Sequence, residues 1–278
     1  MPRKSKKAGD TTRSVGTLAS TDALLESVAS PTSSSDSVDI RRWSSNTLVF
    51  VAMFSSALKQ QRAIQRVSLF LEDPLFAGTI VDDVPPGRAS ASYSGHNMRM
   101  GDIADFANGA SSLSESESEL INQLELAGAL FCRQNPRKGS KSNGYLSAMN
   151  GSCLLTVSKS KDVREAKDAL RHELVHGAFY TCADFKRAVK RFWEESMRDH
   201  ERDAWKETCA SIGYNTSNSE LVLNEFAAYM ATERNIASRE LAPSVNMGGQ
   251  KRDTSVGKLL EQIQRRFMQS LEPNVFLR

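Results

Sequence analysis

Two histidines four residues apart, with a glutamate directly after the first, form the segment His-Glu-Leu-Val-His at His172, Glu173 and His176. In an α-helix, positions i and i+4 lie on one face, so both imidazoles can bind the same ion. Zinc prefers imidazole nitrogen, and a catalytic zinc site keeps one position for water. Glu173 lies about 100° around the helix from His172, near enough to take a proton from that water. The pattern predicts one zinc ion bound by His172 and His176, with Glu173 as general base.

A third protein ligand is required, because a catalytic zinc ion is held by three side chains and one water. Two downstream glutamates, Glu195 and Glu225, are candidates. Glu195 belongs to the charged stretch RFWEESMR, which is typical of a solvated helix face. Glu225 lies in the apolar segment LVLNEFAAY, where a carboxylate costs free energy unless a partner such as a metal ion compensates it. Burial favours Glu225, and Glu195 is the alternative.

HELVH followed by LNEFAAY resembles the gluzincin metallopeptidases, whose third zinc ligand is a glutamate in an LNEGFAxY-like segment. The resemblance covers residues 160–234 and implies zinc bound by His172, His176 and Glu225, with Glu173 as general base. It also implies a zincin-like fold with an active-site helix, cleavage of peptide bonds, and a peptide or protein substrate. In this chain the two motifs are farther apart than in thermolysin-like members, and the glycine after the glutamate is absent.

Four further residues near the two motifs are candidates for supporting roles. Tyr180 and Tyr229 each stand one turn beyond a predicted ligand, where they either donate a hydrogen bond to an oxyanion or simply pack. Asn224 and Asp168 are candidates to hold the second nitrogen of a ligand histidine. For Asp168 a helix-surface charge is the simpler interpretation.

The chain has only two other histidines, His96 and His200, so the His-Glu-Leu-Val-His pattern is rare by chance. His96 follows Gly95 and is expected in a loop beside a cleft or in a plain surface loop. His200 stands among charged residues and is expected to be exposed. Two solvated or core histidines on a helix are the alternative interpretation of His172 and His176.

The elements that would position these residues can be read from the local patterns. Asp162, with Glu165 three residues later, is typical of a capping box that opens a helix running through Tyr180. Residues 152–158, SCLLTVS, predict a short buried strand before it. Helices are also predicted for 185–212, 218–234 and 256–271. The segment 181–221 between the two motifs, here called the excursion, is expected either to form a wall beside a cleft or to complete the core.

In the first half of the chain, apolar residues at helical spacings predict one or two buried helices over 43–74. Glycine and proline predict loops with short elements over 73–112. A helix is expected from Leu113, with Phe131 on its buried face. Residues 139–144 are predicted to form a basic loop. The expected fold class is α+β, predominantly helical, with a small sheet.

The domain organisation follows from a change of composition near residue 39. Residues 1–38 contain nine serines and five threonines with few large apolar residues, which predicts a disordered tail. Residues 39–278 are expected to form one zincin-like catalytic domain whose motif core is 160–234.

Composition and charge restrict the function classes. With 36 Lys and Arg against 33 Asp and Glu, the net charge is +3, so no protein-wide field favours nucleic acid. No apolar run approaches the roughly 20 residues of a membrane span. Four dispersed cysteines indicate a reducing compartment. We therefore expect an intracellular, cytoplasmic protein, and the basic N-terminus is compatible with a nuclear or organellar address.

A rival hypothesis from another class is a non-catalytic zinc-containing or nucleic-acid-associated protein. In that case the basic N-terminal arm would contact phosphate together with Arg133, Arg137, Lys138 and Lys141. Aromatic residues are not interleaved among these charges, so stacking of bases is not indicated.

Overall fold

The computed structural model describes residues 17–30, 37–73, 75–85, 95–133, 145–160, 162–234, 236 and 254–271. Its strands are β1 Leu18–Ala19, β2 Asp39–Trp43, β3 Val49–Phe54, β4 Gly95–Arg99, β5 Leu130–Arg133, β6 Tyr145–Ala148 and β7 Cys153–Ser158. The first helices are α1 Thr21–Ala29, α2 Ala57–Glu72, α3 Met100–Gly109, α4 Glu115–Leu126 and α5 Val163–Thr181. They are followed by α6 Ala183–Arg191, a π-helical turn Phe192–Ser196, α7 Asp199–Ser211, α8 Ser219–Thr232 and α9 Thr254–Ser270. The fold is α+β and mainly helical, in agreement with the expected class.

The described part of the chain contains a five-stranded mixed sheet in the order β1-β2-β3-β7-β4 and a two-stranded antiparallel sheet of β5 and β6. β3 and β7 pair in parallel at the centre, and β4 pairs antiparallel with β7 at one edge. The two central strands are buried on both faces, which explains their continuous apolar sequences.

Side chains alternate between the two faces of this sheet. From β3, Phe50 and Ala52 join the cluster formed with α2, α3 and α4, whereas Val49 and Val51 join the cluster formed with α1 and α5. Helix α5 therefore covers one face of the sheet, and its other side contacts α8.

Helix α5 begins and packs largely as its sequence indicates. The Asp162 carboxylate accepts hydrogen bonds from the backbone N–H groups of Arg164 and Glu165, which caps the helix. A Cβ placed on Gly177 would lie 3.0 Å from Val49 Cγ1 and 3.1 Å from Leu155 Cδ1. Glycine at this position thus lets the helix approach the sheet closely.

The excursion between the two motifs belongs to a second core on the far side of α5. Phe185, Phe192 and Trp205 are buried in one cluster with residues of α8 and α9. Trp205 Nε1 donates a hydrogen bond to the Val222 carbonyl at 3.1 Å. These contacts favour the interpretation that the segment completes the core.

The structure corrects the predicted tail. Residues 17–30 form β1 and α1, and Leu24 on α1 is fully buried in the cluster that α5 shares with the sheet. Trp43 Nε1 donates a hydrogen bond to Thr21 Oγ1 at 2.9 Å, which ties α1 to β2. The prediction of a disordered tail is wrong for this segment, because a short apolar stripe suffices when a sheet and a helix cover it. Residues 1–16 and 31–36 lie outside the described residues.

Of three further local predictions, two are wrong in type and one agrees with the structure. The segment 43–54, expected to be helical, contains the whole of β3, because a short apolar run fits a buried strand as well as a buried helix. The region 73–112 contains the short elements β4 and α3 beside turns and loops in its described residues, as predicted. Phe131 lies on β5, since α4 ends at Leu126. The predicted basic loop 139–144 lies outside the described residues.

Candidate functional site

The two histidines of α5 and the glutamate of α8 meet between these helices. His172 Nε2 lies 3.6 Å from Glu225 Oε2, and His176 Nε2 lies 3.7 Å from Glu225 Oε1. The side chains of His176 and Glu225 are 1% and 4% exposed, and that of His172 is 20% exposed. The structure therefore brings together the three residues predicted as metal ligands.

These distances match a shared ion better than direct hydrogen bonds. They exceed ordinary N–H···O bond lengths, whereas two ligands bound at about 2.0–2.1 Å to one tetrahedral ion lie about 3.4 Å apart. Glu225 Oε2 is buried and has no hydrogen-bond partner among the described residues. A buried carboxylate oxygen in this state costs free energy, and a cation bound beside the two Nε2 atoms removes that cost. The donor set of two imidazoles and one carboxylate fits zinc.

Polar groups of α8 also orient the far side of each imidazole. His176 Nδ1 lies 2.9 Å from Asn224 Oδ1, and His172 Nδ1 lies 3.4 Å from Thr232 Oγ1. The Thr232 hydroxyl donates to the Ala228 carbonyl at 2.7 Å, so its oxygen can accept from His172. Both contacts direct Nε2 toward Glu225, as metal-binding histidines require. Asp168, the other candidate for this role, instead pairs with Arg171 and Arg234 on the helix surface.

Glu173, the predicted general base, lies at the same place on α5 and is 5% exposed. One carboxylate oxygen of Glu173 and one nitrogen of each of His172 and His176 lie within 4.8 Å of one another. Gly95 on the edge strand β4 lies close against the Glu173 side chain. The carboxylate thus lies close both to the sheet edge and to the histidine pair.

The electrostatics of the metal-free site favour neutral imidazoles. Burial lowers the pKa of His172 and that of His176 to about 4. Burial also raises the pKa of Glu225, an effect opposed by His176 and by a hydrogen bond from Tyr214. Neutral imidazole is the form that binds a metal.

Tyr214 was missed by the sequence reasoning. It stands in the turn between α7 and α8, and its hydroxyl is near enough to Glu225 and Tyr229 to affect the pKa of both groups. The Tyr229 ring packs edge-on against His172, with centroids 4.8 Å apart. The only signal for Tyr214 was its place directly after Gly213, which has a φ of 98° and marks the end of α7. Tyr229 lies at the site, whereas Tyr180 lies beneath the Arg99 guanidinium, 5.3 Å from the ring centroid.

The remaining candidates lie elsewhere. Glu195 is exposed in the π-helical turn, so the alternative third ligand is not assembled with the histidines. His96 lies on β4, where a loop was expected, opposite Thr156 of β7. His200 is exposed, as predicted.

The site is open to solvent on the side of His172. A cleft of about 810 Å³ runs along the first turns of α5, lined by Asp162, Val163, Arg164, Lys167, Arg171 and Arg234. This shallow cleft includes Arg171, the residue before His172, but neither histidine nor Glu225 is among its lining residues.

Comparison of the chain with protein-family models, curated proteins and solved structures finds no match in any of the three. In the part of the chain that the structure describes, no helix is both long and apolar enough to cross a membrane.

Proposed function

We propose that this chain is a zinc-dependent hydrolase, a metallopeptidase of the gluzincin type in a zincin-like domain. The observation that carries the proposal is Glu225, whose buried carboxylate faces Nε2 of both His172 and His176 with one oxygen lacking a hydrogen-bond partner among the described residues. One zinc ion bound by these three residues is the partner that compensates the buried charge.

The residues at the site divide the chemistry between them. A zinc ion bound there would polarise a substrate carbonyl and lower the pKa of a coordinated water toward about 7. Glu173 is close enough to the histidine pair to take the proton of the attacking water and pass it to the leaving amine. Asn224 and Thr232 keep the imidazoles in the metal-binding orientation.

The substrate class rests on the sequence resemblance. HELVH with LNEFAAY is the pattern of peptide-bond hydrolysis, so a peptide or protein is the proposed substrate. Zinc with a carboxylate base also serves other hydrolyses, and the test therefore includes ester and amide substrates.

The rival proposal is a non-catalytic zinc-containing or nucleic-acid-associated protein. A structural zinc site is usually closed by four protein ligands, whereas the three metal-binding groups here adjoin the buried carboxylate of Glu173, and the side chain of His172 is 20% exposed. Of the basic residues invoked for nucleic acid, Arg133 is exposed on β5. The N-terminal arm over 1–16, Arg137, Lys138 and Lys141 lie outside the described residues.

The decisive experiment combines metal analysis with a proteolysis assay on the purified full-length chain. We expect one zinc per chain in the wild type and in Glu173→Gln, and turnover in the wild type alone. His176→Ala and Glu225→Ala should lose the zinc, whereas Glu195→Ala should retain it. Full turnover in Glu173→Gln, or zinc loss in Glu195→Ala with none in Glu225→Ala, would contradict the assignment.

A further inference from the structure

We propose that Gly95 is a positioning residue for the general base, because the missing side chain at this point of β4 makes the space that the Glu173 carboxylate occupies. The catalytic consequence rests on the function proposed above. The contact itself is a property of the fold and can be tested without any assay of turnover.

The geometry leaves no room for a side chain at position 95. A Cβ built on Gly95 would lie 2.3 Å from Glu173 Oε1 and 2.6 Å from both Cδ and Cγ of Glu173. Non-bonded carbon atoms prefer separations of about 3.5–4.0 Å. Besides the carboxylate oxygen, the carboxyl carbon Cδ and the methylene carbon Cγ overlap with the added Cβ, and rotation about the Cγ–Cδ bond moves neither carbon.

The closest conflict is with Glu173. The three heavy atoms nearest to the added Cβ all belong to this one side chain. At Gly101, six residues further along, an added Cβ meets nothing within 4 Å. Glycine inside a strand weakens it and often marks a place where another group approaches closely. At Gly95 the approaching group is the proposed base.

The direction of β4 connects this contact to the rest of the site. Gly95 and Asn97 lie on the same face of the strand, because alternate residues of a strand share a face. Asn97 Oδ1 accepts from Asn224 Nδ2 at 3.5 Å, and Asn224 in turn contacts His176. One face of the edge strand therefore borders both the base and the support of a metal ligand.

A methyl group at position 95 should displace Glu173 and leave the metal ligands in place. The Glu173 side chain has several rotatable bonds, whereas the backbone of Gly95 is held by pairing with Val157 of β7. Movement of the Glu173 side chain away from the strand removes the overlap at the lowest cost in free energy. Zinc binding should survive this movement, and proton transfer should not.

The contact is tested by a double-mutant cycle in urea unfolding of the full-length, zinc-loaded chain. Gly95→Ala should lower the unfolding midpoint in the wild-type background and have no such effect in the Glu173→Ala background. Gly101→Ala is the matched control and should change the unfolding midpoint by the same amount in both backgrounds. An equal effect of Gly95→Ala in the two backgrounds overturns the proposed contact.

The catalytic consequence is tested by kinetics and zinc content of the same variants. Because general bases contribute about 100-fold to 10,000-fold, Gly95→Ala should lower kcat by about 100-fold with one zinc retained. Gly101→Ala should match the wild type. Aspartate at position 173 has a shorter side chain and leaves more space. Gly95→Ala should therefore lower kcat by a smaller factor in the Glu173→Asp background than in the wild type.

The outcomes separate this inference from the proposed function. Coupling in the unfolding cycle with no hydrolysis by the wild type supports the contact and rejects the proposed hydrolase. Hydrolysis by the wild type with unchanged kcat in Gly95→Ala rejects the positioning role, as does loss of zinc in that variant.

Discussion

The Nδ1 atom of His176 lies 2.9 Å from Oδ1 of Asn224, the residue that precedes Glu225 on α8. Adjacent positions of one helix therefore supply both the carboxylate that faces Nε2 of His176 and the amide oxygen on the other side of the ring. Because the amide oxygen is an acceptor, Nδ1 carries the proton, and Nε2 remains the metal-binding atom. Packing of α8 on α5 thus sets ligand position and imidazole tautomer together.

Removing this amide should weaken zinc binding while keeping all three ligands. We expect Asn224→Ala to lower zinc affinity by about 10–100-fold, measured by competition with a chromogenic chelator. Asp168→Ala is the control, since Asp168 pairs only with surface arginines in the described contacts. Equal affinities for Asn224→Ala and the wild type would show that the contact does not support the ligand.

Replacing Glu225 by an apolar side chain of similar size should separate metal binding from stability. Glu225→Met should lose zinc but raise the free energy of unfolding of the metal-free protein by about 1–2 kcal/mol, because a buried carboxylate with an unsatisfied oxygen is removed. Metal content and urea unfolding of the chelator-treated protein measure the two effects. Glu195→Met, at an exposed position, should change neither. A less stable metal-free Glu225→Met would mean that Glu225 is compensated within the protein itself.

The metal-free protein should lose stability between about pH 6.5 and pH 4. Burial lowers the pKa of His96 to about 4, as it does for the two ligand histidines. In this pH range these three imidazoles bind more protons in the unfolded chain than in the folded one, so their contribution to the free energy of unfolding falls as the pH falls. The stability that the three neutral imidazoles contribute is fully present above pH 6.5, the ordinary pKa of histidine.

His96 allows the effect of histidine protonation on stability to be tested apart from the metal site, because it lies on the face of β4 opposite to Gly95. In His96→Gln the decline of the urea midpoint from pH 6.5 to pH 4 should be shallower than in the wild type. The exposed His200 provides the control, and His200→Gln should reproduce the wild-type slope. Parallel curves for His96→Gln and the wild type would contradict the lowered pKa.

The N-terminal helix should contribute to global stability. Leu24 is fully buried beneath α5, so Leu24→Ala should cost about 2–5 kcal/mol in the free energy of unfolding. Leu18→Ala in the same segment should cost little, because Leu18 is 57% exposed. Denaturant unfolding of both variants measures the difference, and a Leu24→Ala protein as stable as Leu18→Ala would show that α1 is not docked.

The sequence by itself determined the features that depend on residues close together in the chain. The four-residue spacing of His172 and His176, the capping of α5 by Asp162 and the strand over Cys153–Ser158 all follow from local patterns. Glu225 was also found from sequence, because a carboxylate in an apolar helix must have a compensating partner. Burial of Glu225 and exposure of Glu195 agree with that reasoning.

Only the tertiary structure decided which distant groups complete the site. Gly95 and Tyr214 carry no local signal that points to Glu173 or Glu225, since a close approach depends on how β4 and the turn before α8 pack. The same limit explains β3, whose apolar run suits a helix or a strand until neighbouring strands pair with it. It also explains α1, which is ordered because α5 and the sheet bury three of its side chains. Which residues are buried depends on how the whole chain packs. The spacing of residues in the sequence predicts burial only within a single helix or strand.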